Sequence, residues 1–225
     1  MHTYYIKNRN VTQMEIPCQA SWVIRKIWNA SKYLVQYCGE LSVLYHNHFS
    51  ISALYKQMRG SFDKVPWRRM SCNNHAPPKF LFIVWLALLG RLSTCENLLK
   101  IGIQCDPQCC LCESGVDSLQ HLFFSCPYSS TVWGELLQWL QIRRDPCYWD
   151  SEVHMVVQHF HSCSVQHQIY RIALAVVVYL LWRERNHRKF QNLRMDPQAL
   201  VAQAKLWVCI RCFHVRKLAR CSFLY

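Results

Sequence analysis

Cys109-Cys110-Leu111-Cys112-Glu113-Ser114-Gly115-Val116-Asp117-Ser118-Leu119-Gln120-His121-Leu122-Phe123-Phe124-Ser125-Cys126-Pro127 is the stretch on which the reading of this chain turns. Within it Cys109, Cys112, His121 and Cys126 follow the spacing Cys-x2-Cys-x8-His-x4-Cys. Zinc takes four nitrogen or sulfur ligands in a tetrahedron, and three thiolates with one imidazole close that shell, leaving no vacancy for a substrate water. One structural Zn2+ is therefore expected. His121 and Cys126 are five apart, whereas neighbours on one helix face recur at three and four, so a bend must separate them. Pro127 fits such a bend because it keeps Cys126 out of helical geometry. Cys110, inside the first turn, and Cys105, just before it, blur the ligand list. Cys109 is preferred, since Cys110-x-Cys112 would make a tighter turn than the usual two-residue spacing.

Outward from the cluster, the cysteine content supports a metal site. The 225 residues include 14 cysteines and 11 histidines. The opening Met1-His2-Thr3-Tyr4-Tyr5-Ile6-Lys7 has no apolar core followed by small cleavage residues, so no secretory signal is expected. An intracellular, reducing setting follows, with cysteines as thiols or metal ligands instead of a disulfide lattice. Hydrophobic residues make up 52% and charged ones 17%, which is enough apolar content for a buried core. The formal net charge of +13 points to an anionic partner, most simply nucleic acid, although a membrane surface satisfies the same arithmetic. Phe80 to Leu89 and Ile172 to Trp182 are the most apolar runs. Each is about ten residues, against about 20 for a bilayer span, so no membrane crossing is expected.

The apolar spacing predicts a mostly α-helical protein: a small zinc-binding Cys-Cys-His-Cys module with a C-terminal helical extension. Only 6 glycines and no Asn-Gly or Asp-Gly pair argue against a strand-rich fold. Ser21 to Tyr37 reads as an amphipathic helix with a basic outer face, and Tyr45 to Phe62 as a short extended lead into a helix ending at Gly60. Prolines make Cys72 to Pro78 a loop. A buried helix follows over Phe80 to Leu89, then a short one over Cys95 to Lys100 capped by Ser93 or Thr94. After Pro127, Ser129 or Ser130 is expected to cap a helix with Val132, Trp133, Leu136, Leu137 and Leu140 on one face. Arg143-Arg144-Asp145-Pro146 reads as a hinge. Ile169 to Phe190 should pack on several sides, with Arg183, Glu184, Arg185, Arg188 and Lys189 emerging from the core. Asp196 and Pro197 open a last helix through about Arg220. The expected domains are residues 1–62, an N-terminal helical segment, residues 63–142, the zinc-binding part, and residues 143–225, the extension.

Several ordered blocks carry a family likeness: Pro77-Pro78-Lys79-Phe80, Trp85-Leu86-Ala87, Gly90-Arg91-Leu92-Ser93-Thr94, Cys109 to Cys112, His121-Leu122-Phe123-Phe124-Ser125-Cys126-Pro127 and Trp133. Ala20 to Ile27 and Trp182 to Phe190 extend it on either side. On these residues the chain resembles the zinc-binding region downstream of the reverse transcriptase in plant non-LTR (LINE-type) retrotransposons, over most of residues 18–190. The resemblance implies that Cys109, Cys112, His121 and Cys126 are the zinc ligands. It also implies a region that binds template RNA or target DNA while a separate domain copies, and it favours the nucleus. The doubled Cys109-Cys110 departs from the family pattern. No Asp-Asp pair of the kind the family's polymerase site requires occurs, and no endonuclease-sized segment, so a non-enzymatic fragment is expected.

Other chemistries lack their signatures. There is no phosphate loop ending in Lys and Ser or Thr, and no Gly-x-Ser-x-Gly elbow. Glu113 follows a ligand, but a closed shell has no water for it to activate. Cys209-x2-Cys212 with His214 and Cys221 could form a second metal cluster, yet core-type neighbours favour ordinary helix positions. Candidate phosphate contacts near the site are Arg68, Arg69, Lys79, Arg91 and Lys100, with Phe123 a candidate base-stacking ring. A second basic patch comprises Arg183, Arg185, Arg188 and Lys189 with Arg211, Arg216, Lys217 and Arg220. The expected partner is RNA or single-stranded DNA, with no membrane and no small-molecule substrate. The competing reading is a structural or protein-interaction helical domain in which zinc is a fold staple.

Overall fold

The computed structural model describes residues 59–72 and 74–215, together with residues 20–23, 25, 26, 29, 30 and 55. In chain order its helices are α1 (Arg68–Ser71), α2 (Pro78–Leu88), α3 (Cys95–Lys100), α4 (Pro127–Trp139), α5 (Trp149–Gln158), α6 (Val165–Gln191) and α7 (Pro197–His214). No strand occurs among the described residues, so the mostly helical expectation holds. The nearest thing to a sheet is a single antiparallel bridge between Gln108 and Val116.

Helix α6 organises the rest. Ser164 caps it, its Oγ accepting from the His167 N–H, and Asn192 ends it in the left-handed region. Ile172 through Val178 are buried at every position, so neighbours must cover the helix all round. Helices α2, α7 and α4 do this, with α1 and the His121–Ser125 segment completing the cover. Phe80 of α2 stacks on Tyr179 of α6 at 4.0 Å and meets Trp207 of α7 edge-on at 5.2 Å, so three helices share one aromatic contact. Helix α6 is long and apolar enough to cross a membrane, with a mean hydropathy of 1.3 over its most apolar window. Since 67% of that window is buried in the fold, burial accounts for the apolarity.

Local chemistry explains most helix ends. Thr94 caps α3, its Oγ1 accepting from Asn97 N–H at 3.4 Å. Asp196 caps α7, with Pro197 in the first turn. Helix α4 begins earlier than expected, with Pro127 in its first turn and Cys126 in the capping position. Ser129 is instead buried within it, because proline's fixed φ already suits a helix start. Helix α1 ends just before the expected Cys72–Pro78 loop, and neither it nor α5 was foreseen. The end of α6 also differs from expectation: Glu184 and Arg185 do not emerge but are buried. Most of the expected Ser21–Tyr37 and Tyr45–Phe62 elements, and everything after Val215, lie outside the described residues.

Contacts divide the chain into two compact units, Met1–Asp63 and Lys64–Tyr225. The second holds both the expected zinc-binding part and the extension. Arg143–Pro146, expected as a hinge, is tied down within it. Arg144 forms a bidentate pair with Glu152 of α5 at 2.7 and 2.6 Å, and Tyr170 of α6 donates to the same carboxylate at 2.9 Å. Glu152 is buried, so both its oxygens must be satisfied by these donors. Glu152→Ala should leave the Arg144 guanidinium without its counter-charge and cost about 3 kcal/mol, the lower end for a broken buried pair, because Arg144 can turn toward water. Urea unfolding of the two proteins measures this.

Candidate metal centre

The loop after α3 doubles back on itself at Cys109. Cys109 N–H donates to Gly115 O at 2.7 Å, Glu113 N–H to Cys109 O at 2.8 Å, and Asp117 N–H to Pro107 O at 2.7 Å. Glu113 turns through the left-handed region at φ 59°. These bonds make a tight knuckle that directs Cys109 and Cys112 to one side.

The second pair comes from the expected bend. Phe124 adopts φ 74° after an extended Phe123, and Cys126 N–H reaches back to His121 O at 2.8 Å. Cys126 is itself extended, at φ −68° and ψ 133°. The helical path is thereby interrupted, and a residue five positions on returns to the same point.

The donor atoms of Cys109, Cys112, His121 and Cys126 all lie within 4.8 Å of one another. Zinc–sulfur bonds near 2.3 Å put the corners of a tetrahedron about 3.8 Å apart, so the four donors fit one ion after minor contraction. His121 turns Nε2 to the sulfurs, 3.1 Å from Cys112 Sγ. Gly115 makes room for this ring: a Cβ there would come within 2.3 Å of the imidazole.

The protonation of the cluster favours a cation. The Cys126 thiol donates to Cys109, which lowers Cys109 to about 5 against the opposing effect of burial. Cys126 is pushed upward by the same shared proton and by burial. Burial opposes ionisation of Cys112, but hydrogen bonds from Ser114 and His121 outweigh it and hold this thiol below its usual value. Burial also disfavours charge on His121, yet the adjacent Cys112 and Cys109 sulfurs raise it overall. Cys109 and Cys112 thus ionise more readily while the shared proton stays on Cys126. A metal ion displaces that proton and provides the compensating charge itself.

The neighbouring cysteines resolve differently. Cys105 forms a disulfide with Cys95 across a Cα separation of 6.0 Å, which removes it from the ligand list. This corrects the expectation that every cysteine is a thiol or ligand: the turn after α3 returns the chain within bridging distance. Cys110 points away, its Sγ toward Arg185 O at 3.4 Å. Cys209 and Cys212 lie along α7, and among the described residues they join no metal-binding group. Cys221 lies outside the described residues.

Residues 49–133 match the family described as zinc-binding in reverse transcriptase. The matched segment holds all four cluster residues. No curated protein and no solved structure matches the chain.

The basic candidates sit on different elements and meet different neighbours. Arg68 and Arg91 are exposed with no partner among the described residues. Arg69 donates to the His161 carbonyl, Lys79 lies 5.3 Å over the Tyr179 ring, and Lys100 pairs with Glu96 at 2.7 Å. Phe123 is corrected outright. It is fully buried against Trp149 and Phe124, where no base can reach it, because the knuckle needs apolar support.

The second basic patch is largely internal. Arg185 is buried and bonds Asp117 through Nε at 3.2 Å and through Nη2, while Lys189 approaches the same carboxylate at 3.4 Å. Arg188 donates to the Cys110 and Leu111 carbonyls at 3.3 and 3.0 Å. Arg183 bonds Gln203, and Arg211 bonds the His75 carbonyl. Arg216, Lys217 and Arg220 lie outside the described residues. The end of α6 therefore grips the knuckle. Sequence reading missed this clamp, although an acidic residue inside the ligand loop of so basic a chain was a signal.

Two outcomes follow from this geometry. Gly115→Ala should reduce bound metal in the purified protein, as Cys112→Ser and His121→Ala do, whereas Cys110→Ser retains it; elemental analysis reads the difference. Burial opposes the Asp117 charge, but Arg185 and Lys189 outweigh this and hold the carboxyl below its ordinary 3.8. The unfolded chain therefore binds that proton more readily. The stabilisation is complete above the ordinary value and is lost as pH falls through the depressed one. Asp117→Asn should cost about 3–5 kcal/mol at neutral pH and flatten the acid limb of the stability curve.

Proposed function

We propose that this chain is the non-catalytic, zinc-binding accessory region of a LINE-type retrotransposon reverse transcriptase of the plant kind, and that it holds RNA or single-stranded DNA. The observation that supports it most is the convergence of three sulfurs and one ring nitrogen inside the segment that matches the family. Thiolate and imidazole donors at tetrahedral spacing select zinc over harder cations. Four protein ligands leave it no open position, so its contribution is to fold the knuckle, not to activate water. Cys109, Cys112, His121 and Cys126 hold the ion, with Gly115 giving His121 its space.

Nucleic-acid binding is supported by the net charge of +13 and by the cations that the fold leaves to solvent. Arg68 and Arg91 are the foremost of these. Lys79 remains exposed beside its aromatic neighbours, and the Lys100–Glu96 pair is exposed on both sides, so it competes weakly with a phosphate. Such contacts hold the backbone without reading sequence. A nuclear location accords with this role.

The internal clamp favours a second reading, in which the module is a structural or protein-interaction domain. Arg185, Arg188 and Lys189 carry positive charge that the protein itself neutralises or orients.

A salt titration of RNA binding separates the two. Affinity should fall steeply with salt, with a log–log slope of about −0.7 per phosphate contact on a single strand. Arg68→Ala and Arg91→Ala should each make that slope shallower by a similar step. No binding at low salt overturns the nucleic-acid reading.

A further inference from the structure

Where α4 ends, Gln138, Gln141 and Arg143 line an open groove of about 950 Å³. A smaller, more enclosed cavity of about 210 Å³ adjoins it through the shared residues Gln141 and Ile142, and Leu140, Phe160, Gln166, His167, Ile169 and Tyr170 complete its wall. Pockets for drug-sized ligands begin at about 300 Å³, so the cavity suits a single planar ring system. We propose that it receives one unpaired base of a bound single strand, a site that rests on the nucleic-acid reading above and names where the strand is held.

The aromatic platform is already ordered. Phe160 stacks on Tyr170 at 3.9 Å and 9° and meets His167 edge-on at 5.3 Å, and Tyr170 is fixed in turn by Glu152 and Arg144, so a base would enter beside the His167 ring. The Phe160 carbonyl is held by Arg171. A ring immobilised before the ligand arrives loses little further freedom on binding.

The polar groups match a base edge. The Gln141 and Gln166 side chains are exposed and have no partner among the described residues, and each amide offers both a donor and an acceptor. Gln141 is carried at the lip by a left-handed backbone, φ 59°, which a non-glycine residue rarely adopts. Ser162 Oγ accepts from Ser164 N–H at 3.2 Å and meets His167 Nδ1 at 2.8 Å. The hydroxyl can donate to Nδ1 or accept from it, so the neutral imidazole presents Nε2 to a base edge as a donor in the first case and as an acceptor in the second. Burial and the nearby Arg171 keep His167 below its usual value, consistent with that neutral form.

Charge contributes little here. Arg143 is exposed without a partner among the described residues and can meet the phosphate of the same nucleotide, but Asp145 lines the groove too, and Arg144 is neutralised by Glu152. Stacking and amide hydrogen bonds should therefore dominate, and they differ from the Arg68 and Arg91 contacts in being insensitive to salt.

The test uses the full chain with a short poly-uridine RNA and with uridine and adenosine monophosphates as competitors. Phe160→Leu, and separately the surface pair Gln141→Ala with Gln166→Ala, should weaken RNA binding roughly 5- to 100-fold, the range for one lost stacked base, while the salt slope stays that of the parent. The glutamine pair guards against a folding defect, since both side chains are exposed. Competition by a monophosphate that the same substitutions abolish supports the site. If RNA binds but neither set of substitutions changes its affinity, the base site is overturned and the broader reading stands. If the parent protein binds no RNA at low salt, both fall together.

Discussion

The buried pair between Asp117 and Arg185 joins the two ends of this architecture. Asp117 closes the metal knuckle, and Arg185 belongs to the helix that α2, α4 and α7 pack against. Desolvating both charges is costly, and the contact returns about what it takes unless further hydrogen bonds complete the shell. Here they do: Cys95 N–H donates to Asp117 Oδ2 at 3.0 Å, and Lys189 approaches the same oxygen. The consequence is registry. A knuckle displaced along α6 would leave a carboxylate and a guanidinium buried without partners, so one docking position is selected over its neighbours. Arg188, bonded to two knuckle carbonyls, selects the same position.

Charge in this protein divides into two populations that composition alone merges. Cations at the end of α6 complete the fold: Arg185, Arg188 and Lys189 face carboxylates or backbone carbonyls, and Arg183 faces the Gln203 amide oxygen. Arg68 on α1 and Arg91 after α2 face water. The excess of positive charge is real, yet the first population contributes to it without presenting free charge to solvent. Apolar surface divides similarly. Phe82 and Trp85 on α2 and Leu89 at its end, with Leu206, Ile210 and Phe213 on α7, stay exposed while the opposite faces of the same helices form the core.

Much of this was legible from residues. The ligand spacing named the four residues that converge, because the knuckle and the bend are local and encoded by adjacent positions. Thr94 and Asp196 announced their helix starts through side chains that cap their own backbone. What stayed hidden was long-range. Nothing near Arg185 or Arg188 in sequence shows that their partners lie almost seventy or more positions away, at Asp117 and at Cys110 and Leu111. A run of basic residues looks like a solvated face until the tertiary fold supplies the carbonyls. Phe123 misled for the related reason that an aromatic beside a metal ligand can face either a base or the core. The Cys95–Cys105 bond needed the chain reversal after α3, which periodicity does not reveal.

The match to a known family ends at Trp133, but the groups that hold the knuckle begin some fifty residues later, at Arg185. Excising residues 49–133 would thus cut through a cooperative body. The severed piece would keep its four metal donors while losing the long helix against which Leu122 to Phe124 are packed, together with the counter-charge of Asp117. Sequence kinship and mechanical autonomy have different borders in this molecule, and the metal belongs to the larger of the two.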